Sequence, residues 1–95
     1  MTTPSVRPPA PDGELIAAWQ EGWMRLLSVG PGRAAVVITH GGGPLHVADV
    51  TYGESLTETV VEWTKDGRME FEQYKRDAWD SWIYSAIAEW RSSRR

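Results

Sequence analysis

The apolar pattern in the last third of the chain constrains the fold more than any other sequence feature. From Lys75 onward, large apolar residues recur at helical spacing, namely Trp79, Trp82, Ile83, Ala86, Ile87 and Trp90. Asp77 and Asp80 lie early in this segment and Arg91 lies late, which suits the dipole of a helix at both ends. The segment therefore predicts a C-terminal amphipathic helix, whose apolar stripe the rest of the chain must cover.

A second apolar stripe precedes it near the start of the chain. Asp12 is a favourable N-cap, and the apolar residues that follow fall on one helical face, namely Leu15, Ile16, Trp19, Trp23, Leu26 and Leu27. Gly30, Pro31 and Gly32 would end such a helix. We therefore predict an N-terminal helix that ends near Val29.

Two short β-branched segments, residues 34–40 and 45–52, flank a loop of three glycines and Pro44. This arrangement is typical of a β-hairpin. Placing His40 opposite His46 keeps the apolar side chains on one face, so we predict this register.

Residues 57–74 predict a second hairpin, because the loop at residues 65–67 ends in a glycine that can adopt a left-handed conformation. This loop would pair Trp63 with Met69. A helix over the first part of the segment is the alternative, since residues 55–58 form a capping box. The density of threonine and valine favours the strand.

The predicted fold class is α+β. It comprises an N-terminal helix, a four-stranded antiparallel sheet made of two hairpins, and a C-terminal helix, with both helices on one sheet face. Residues 1–11 hold four of the six prolines and predict a disordered tail. Residues 12–95 predict a single α+β domain.

Composition limits the kinds of function. The chain of 95 residues has no cysteine, which excludes a disulfide framework, a thiolate zinc site, an iron–sulfur cluster and a cysteine nucleophile. It has no apolar run of the roughly 18 residues that a membrane span needs, and it does not start with a secretory signal. We therefore predict a cytoplasmic protein that does not enter membranes. A strong bias of arginine over lysine is typical of a GC-rich genome, in keeping with a bacterial or phage origin.

Candidate catalytic and metal sites are weak. His40 and His46 are the only pair with ligand character, and no third ligand shares their predicted face. The three glycines lack the lysine and the following helix of a phosphate-binding loop. Glu62 and Glu70 would face each other across the second hairpin, where paired carboxylates could serve acid–base catalysis. Charged residues on the solvent-exposed face of a sheet explain the pair more simply. We predict no enzyme activity, no metal, no cofactor and no small-molecule ligand.

Nucleic-acid binding is the alternative function, based on a basic C-terminal patch of Arg91, Arg94 and Arg95. The net charge of −3 and a pI near 5.3 disfavour it. An acidic run at residues 54–72, with six carboxylates and two cations, disfavours it further.

Protein binding is the preferred function, because six tryptophans in 95 residues supply unusually large apolar area, and such rings dominate both small cores and interfaces. Two tryptophan-rich stripes would present more apolar surface than a four-stranded sheet can cover. We expect a non-catalytic module of the adaptor, chaperone, immunity or phage-accessory kind. It would bind a protein partner or form a homodimer through the tryptophan-rich faces of its helices. The predicted partner-binding residues are Trp19, Trp23, Trp79, Trp82 and Trp90.

Overall fold

The computed structural model describes residues 10–54 and 58–93. Its elements follow the chain in the order β1 (Glu14–Trp19), β2 (Met24–Gly30), β3 (Arg33–Ile38), β4 (Leu45–Thr51), β5 (Val60–Trp63), α1 (Lys65–Glu70) and α2 (Gln73–Ser93). The five strands form one antiparallel meander in which each strand pairs with its neighbours in the chain. The C-terminal helix is confirmed as α2. Of the predicted disordered tail at residues 1–11, only Ala10 and Pro11 lie within the described residues.

The predicted N-terminal helix is wrong, because residues 14–30 form the antiparallel pair β1 and β2. A short 3-10 turn, Gln20–Gly22, joins these strands, and its three residues all have positive φ angles. Such a turn reverses the chain in the middle of the expected helix. Gly13 allows the two strands to approach closely, because a Cβ atom there would lie 1.8 Å from the Ser28 carbonyl oxygen.

The first predicted hairpin is confirmed as β3 and β4, but its predicted register is wrong. Ile38 pairs with Leu45 and Val37 pairs with His46, so the two histidines do not face each other. The register shifts between Val36 and Val37, because β4 has a bulge there. Periodicity alone does not show a bulge, which adds one residue to one strand.

The second predicted hairpin is also wrong. The first part of residues 57–74 forms β5, but the segment after it is helical, and Val61 pairs with Val50 of β4 rather than with a following strand. Thr64 caps α1, since its hydroxyl accepts a hydrogen bond from the Gly67 N–H at 3.0 Å. The expected loop at residues 65–67 is therefore the first turn of a helix, and the capping-box alternative at residues 55–58 lies mostly outside the described residues.

The sheet has two faces that differ in what covers them. On one face, here called the helix face, α2 contributes Ile83, Ala86 and Ile87 to the core. Phe71, at the end of α1, and nine strand residues contribute the rest of this core; the strand residues are Met24, Leu26, Ala34, Val36, Ile38, Leu45, Val47, Ala48 and Val50. The opposite face, here called the second face, carries the alternate residues of the same strands. The observed architecture is thus a five-stranded sheet covered by one long helix, which replaces the predicted four strands and two helices.

Candidate functional site

Six aromatic rings meet where the β1–β2 turn, the end of β5 and the start of α2 come together. We call this group the aromatic cluster, and its members are Trp19, Trp23, Trp63, Phe71, Trp79 and Trp82. Trp79 lies at its centre, with ring centroids 5.4 Å from Trp19 and 5.7 Å from Trp82, both edge to face. Such edge-to-face pairs add roughly 0.5–1.5 kcal/mol each beyond area burial. The cluster therefore holds the N-terminal half of α2 against the end of the sheet.

One hydrogen bond fixes the inner side of this cluster. Trp63 Nε1 donates to Asp80 Oδ1 at 2.9 Å, which ties the end of β5 to α2. Burial raises the pKa of Asp80 above its ordinary value, with the nearby Asp77 charge adding to the rise. The hydrogen bond from Trp63 lowers the pKa and opposes the burial. Asp80 therefore accepts a hydrogen bond from a ring of the cluster, and this bond only partly offsets the effect of burial on the pKa of Asp80.

The outer side of the cluster forms a shallow apolar pocket, here called the Trp19 pocket. Trp19, Ala78, Trp79 and Trp82 line its volume of about 290 Å³. Trp19 is 42% exposed even though it packs against Trp79. An apolar hollow with a half-exposed tryptophan at its rim is typical of a binding surface.

A second hollow follows α2 toward its C-terminus, between the helix and β1, and is here called the Trp90 groove. Ile16 and Ala17 line it from the strand, and Ala86 and Trp90 line it from the helix. Its volume is about 230 Å³. The Trp19 pocket and the Trp90 groove thus both lie where α2 meets β1.

β1 itself is an edge strand, since β2 is its only strand neighbour among the described residues. Leu15 on this strand is 50% exposed. A bulge between Leu15 and Ala17 limits the regular part of the strand to Ala17, Ala18 and Trp19. Sequence reasoning missed this edge because it assigned the segment to a helix.

The structure brings together four of the five predicted partner-binding tryptophans. Trp19, Trp79 and Trp82 surround the Trp19 pocket, and Trp23 packs behind them with its ring centroid 6.4 Å from that of Trp79. Trp90 lies apart in the Trp90 groove. The residue types were thus recognised from the sequence, but their grouping around β1 was not.

The basic patch of the alternative function is only partly within the described residues. Arg91 lies with its guanidinium carbon 5.8 Å from the centroid of the Tyr52 ring, and it donates a hydrogen bond to the Glu54 carbonyl. The Arg91 side chain therefore contacts other residues of the same chain. Arg94 and Arg95 lie outside the described residues, and their role in nucleic-acid binding stays a prediction.

The other candidate residues do not form the sites that the sequence suggested. His40 Nδ1 accepts from its own loop at Gly42, at 3.3 Å, whereas His46 Nε2 lies 2.8 Å from Asp49 Oδ1 on β4. Glu62 is on β5 opposite Asp49, and Glu70 is in α1, so the predicted cross-strand pair does not exist. Within the described ranges, no group of three or more histidine, aspartate or glutamate side chains is placed to hold a metal ion.

Comparison with known proteins gives no relative: no family model, no curated protein and no solved structure matches this chain. No helix within residues 10–54 and 58–93 is both long and apolar enough to cross a membrane. The surface at β1 and α2 is therefore interpreted from its own geometry.

Proposed function

We propose that the protein is a protein-binding module that associates with a second copy of itself along β1. The single observation that carries this proposal is the placement of a half-exposed Trp19 on an edge strand, beside hollows that the same strand and α2 form. The Trp19 pocket is apolar, whereas Glu89 and Ser93 also line the Trp90 groove. Edge strands add further strands through their backbone, and neighbouring pockets supply specificity.

The sequence of β1 supports strand addition. Glu14 is its one charged residue, and the strand has neither the proline nor the lysine that commonly protect an edge. Because the bulge leaves a regular stretch of only three residues, backbone pairing alone would be weak. Trp19 would therefore supply most of the binding energy, as buried tryptophans do in interfaces.

A second copy fits this edge through two-fold symmetry. If the two β1 strands pair antiparallel about Ala18, Trp19 of one copy comes next to Ala17 of the other, which lines the Trp90 groove. Each copy would then place its exposed tryptophan in the groove of its partner. The two Glu14 side chains would lie at opposite ends of the paired strands, so the net charge of −3 per chain adds little repulsion at the interface.

Light scattering on the purified protein tests the proposal. We expect a concentration-dependent dimer for the wild type. Ala18→Lys should give a monomer with an unchanged melting temperature, because Ala18 is exposed and the two lysines would meet at the symmetry axis. Val60→Lys is the matched control, since Val60 is 49% exposed on the opposite edge strand β5.

A wild type that stays monomeric at every concentration would exclude self-association, as would loss of the dimer in Val60→Lys but not in Ala18→Lys. An extended segment of another protein would then be the occupant of the same edge. Salt-dependent binding of an oligonucleotide by a monomer would instead favour the alternative based on Arg91, Arg94 and Arg95.

A further inference from the structure

The second face of the sheet carries a cavity next to β1, here called the Arg25 pocket. Residues 10–12 bound it on one side, Leu27, Val37 and Pro44 form an apolar wall, and Arg25 supplies a positive charge. Its volume is about 330 Å³. Pockets that hold small molecules typically measure about 300–1,000 Å³. The cavity is thus large enough for a small organic ligand.

Arg25 is an unusual residue for the middle of this face. It lies on β2, and its neighbours across the sheet are Ala18 on β1 and Val37 on β3. The residue is partly buried, and its Nε atom is enclosed without a hydrogen-bond partner among the described residues. An enclosed donor of a charged group without a partner destabilises a fold, and buried polar groups normally have one.

Within residues 10–54 and 58–93, no acidic side chain supplies that partner. Asp12 lines the same pocket, but its Oδ1 accepts from the Gly13 N–H at 2.8 Å. Asp49 and Glu62 also lie on the second face, but on β4 and β5, so that β3 separates them from Arg25. Residues 1–9 contain no acidic side chain.

We propose that the Arg25 pocket binds a small carboxylic acid that carries an aliphatic chain. A guanidinium presents Nε and a terminal nitrogen as a fork that matches the two oxygens of a carboxylate. The wall of Leu27, Val37 and Pro44 would take the hydrocarbon chain. A single arginine with Asp12 at the rim favours a ligand with one negative charge over a doubly charged phosphate.

Titration with hexanoate tests this site by nuclear magnetic resonance. The Nε–H signal of Arg25 is identified as the one that Arg25→Gln lacks. We expect hexanoate to shift this signal saturably in the wild type, whereas hexanamide, which lacks the charge, and inorganic phosphate should bind at least about tenfold more weakly. A shift that does not saturate, or equal binding of hexanoate and hexanamide, would overturn the proposal.

Two variants and one control make the test specific, with the resonances of Leu27 and Val37 as the readout. Arg25→Gln should weaken hexanoate binding about tenfold or more while the spectrum stays that of a folded protein. Asp12→Asn should tighten binding, because it removes a like charge from the rim. Arg33→Gln, on the exposed end of β3, should leave binding unchanged. Unchanged binding in Arg25→Gln would contradict the site even if the protein proved to be a dimer, because hexanoate titration and light scattering are separate measurements.

Discussion

The two faces of the same sheet differ in the side chains that they carry and in what covers them. On the helix face, adjacent strands present an uninterrupted apolar surface that α2 covers. On the second face, an apolar centre that includes Leu27 and Val37 is flanked by Arg25 on one side and by His46 and Asp49 on the other. The helix face is therefore apolar and covered by α2, whereas the second face combines buried apolar side chains such as Val37 with charged groups beside them. A charged group beside a buried apolar centre is the combination that a ligand-binding site uses, and of the two faces the second carries it.

The largest expected effect is a loss of unfolding free energy, which should differ between two neighbouring leucines of β2. Leu26 is fully buried on the helix face, whereas Leu27 is 7% exposed on the second face. Truncating a buried leucine to alanine costs about 2–5 kcal/mol of unfolding free energy. We expect Leu26→Ala near the top of that range and Leu27→Ala near the bottom, measured by denaturant unfolding with unchanged m-values. Equal costs would show that the second face is packed as firmly as the helix face.

A smaller effect concerns Asp80, the polar group held inside the aromatic cluster. Because the pKa of Asp80 is raised in the fold, its titration stabilises the protein most below the ordinary value of 3.8, and this contribution is lost as pH rises through the raised pKa. Asp80→Asn keeps an oxygen that can accept from Trp63 but carries no charge. We expect this variant to be at least as stable as the wild type at neutral pH, with the difference shrinking in acid.

Thermal melts across the acid-to-neutral range measure this effect. Glu89→Gln is the control, since Glu89 is exposed on the same helix, more than two turns from Asp80. A wild type that is clearly more stable than Asp80→Asn at neutral pH would mean that the charged carboxylate strengthens its hydrogen bond with Trp63 by more than its burial costs.

The smallest effect is expected on the polar side of the second face. Asp49 Oδ1 lies 2.8 Å from His46 Nε2, but the Asp49 side chain is 59% exposed. Exposed ion pairs contribute about 0–1 kcal/mol. We therefore expect Asp49→Asn to change the unfolding free energy by less than about 1 kcal/mol at neutral pH and still less at high salt. A larger loss would show that this exposed pair stabilises the fold as strongly as a buried one.

Sequence reasoning identified the elements whose signal is local. The C-terminal helix has a long stripe at one period, and the first hairpin has a glycine-rich loop between two β-branched segments. The N-terminal strands were missed because their apolar residues also fit a helical stripe. Gln20, Glu21 and Gly22 were the available counter-signal, since the 3-10 turn and its positive φ angles sit there.

The remaining errors concern contacts that no local pattern encodes. Gly67 ends a plausible hairpin loop in the sequence. In the fold, a glycine is needed there because α1 packs closely on β4, and a Cβ atom on residue 67 would lie 2.1 Å from the Val47 carbonyl oxygen. Likewise, the tryptophans were recognised as unusual, but the contact between Trp19 and Trp79 joins opposite ends of the chain. Arg25 was missed altogether, because only the assigned strands place it between Ala18 and Val37.

The meander has a consequence for how the chain folds. Every strand pairs with a neighbour in the chain, so the sheet can grow by short loop closures, which are kinetically easy. Packing of α2 on β1 is different, because it joins the last element to the first. We expect this docking to be a late event in folding. The Trp19 pocket and the Trp90 groove exist only after α2 has docked on β1. A partner that recognises them would therefore bind the fully folded chain and would not bind a folding intermediate in which α2 is undocked.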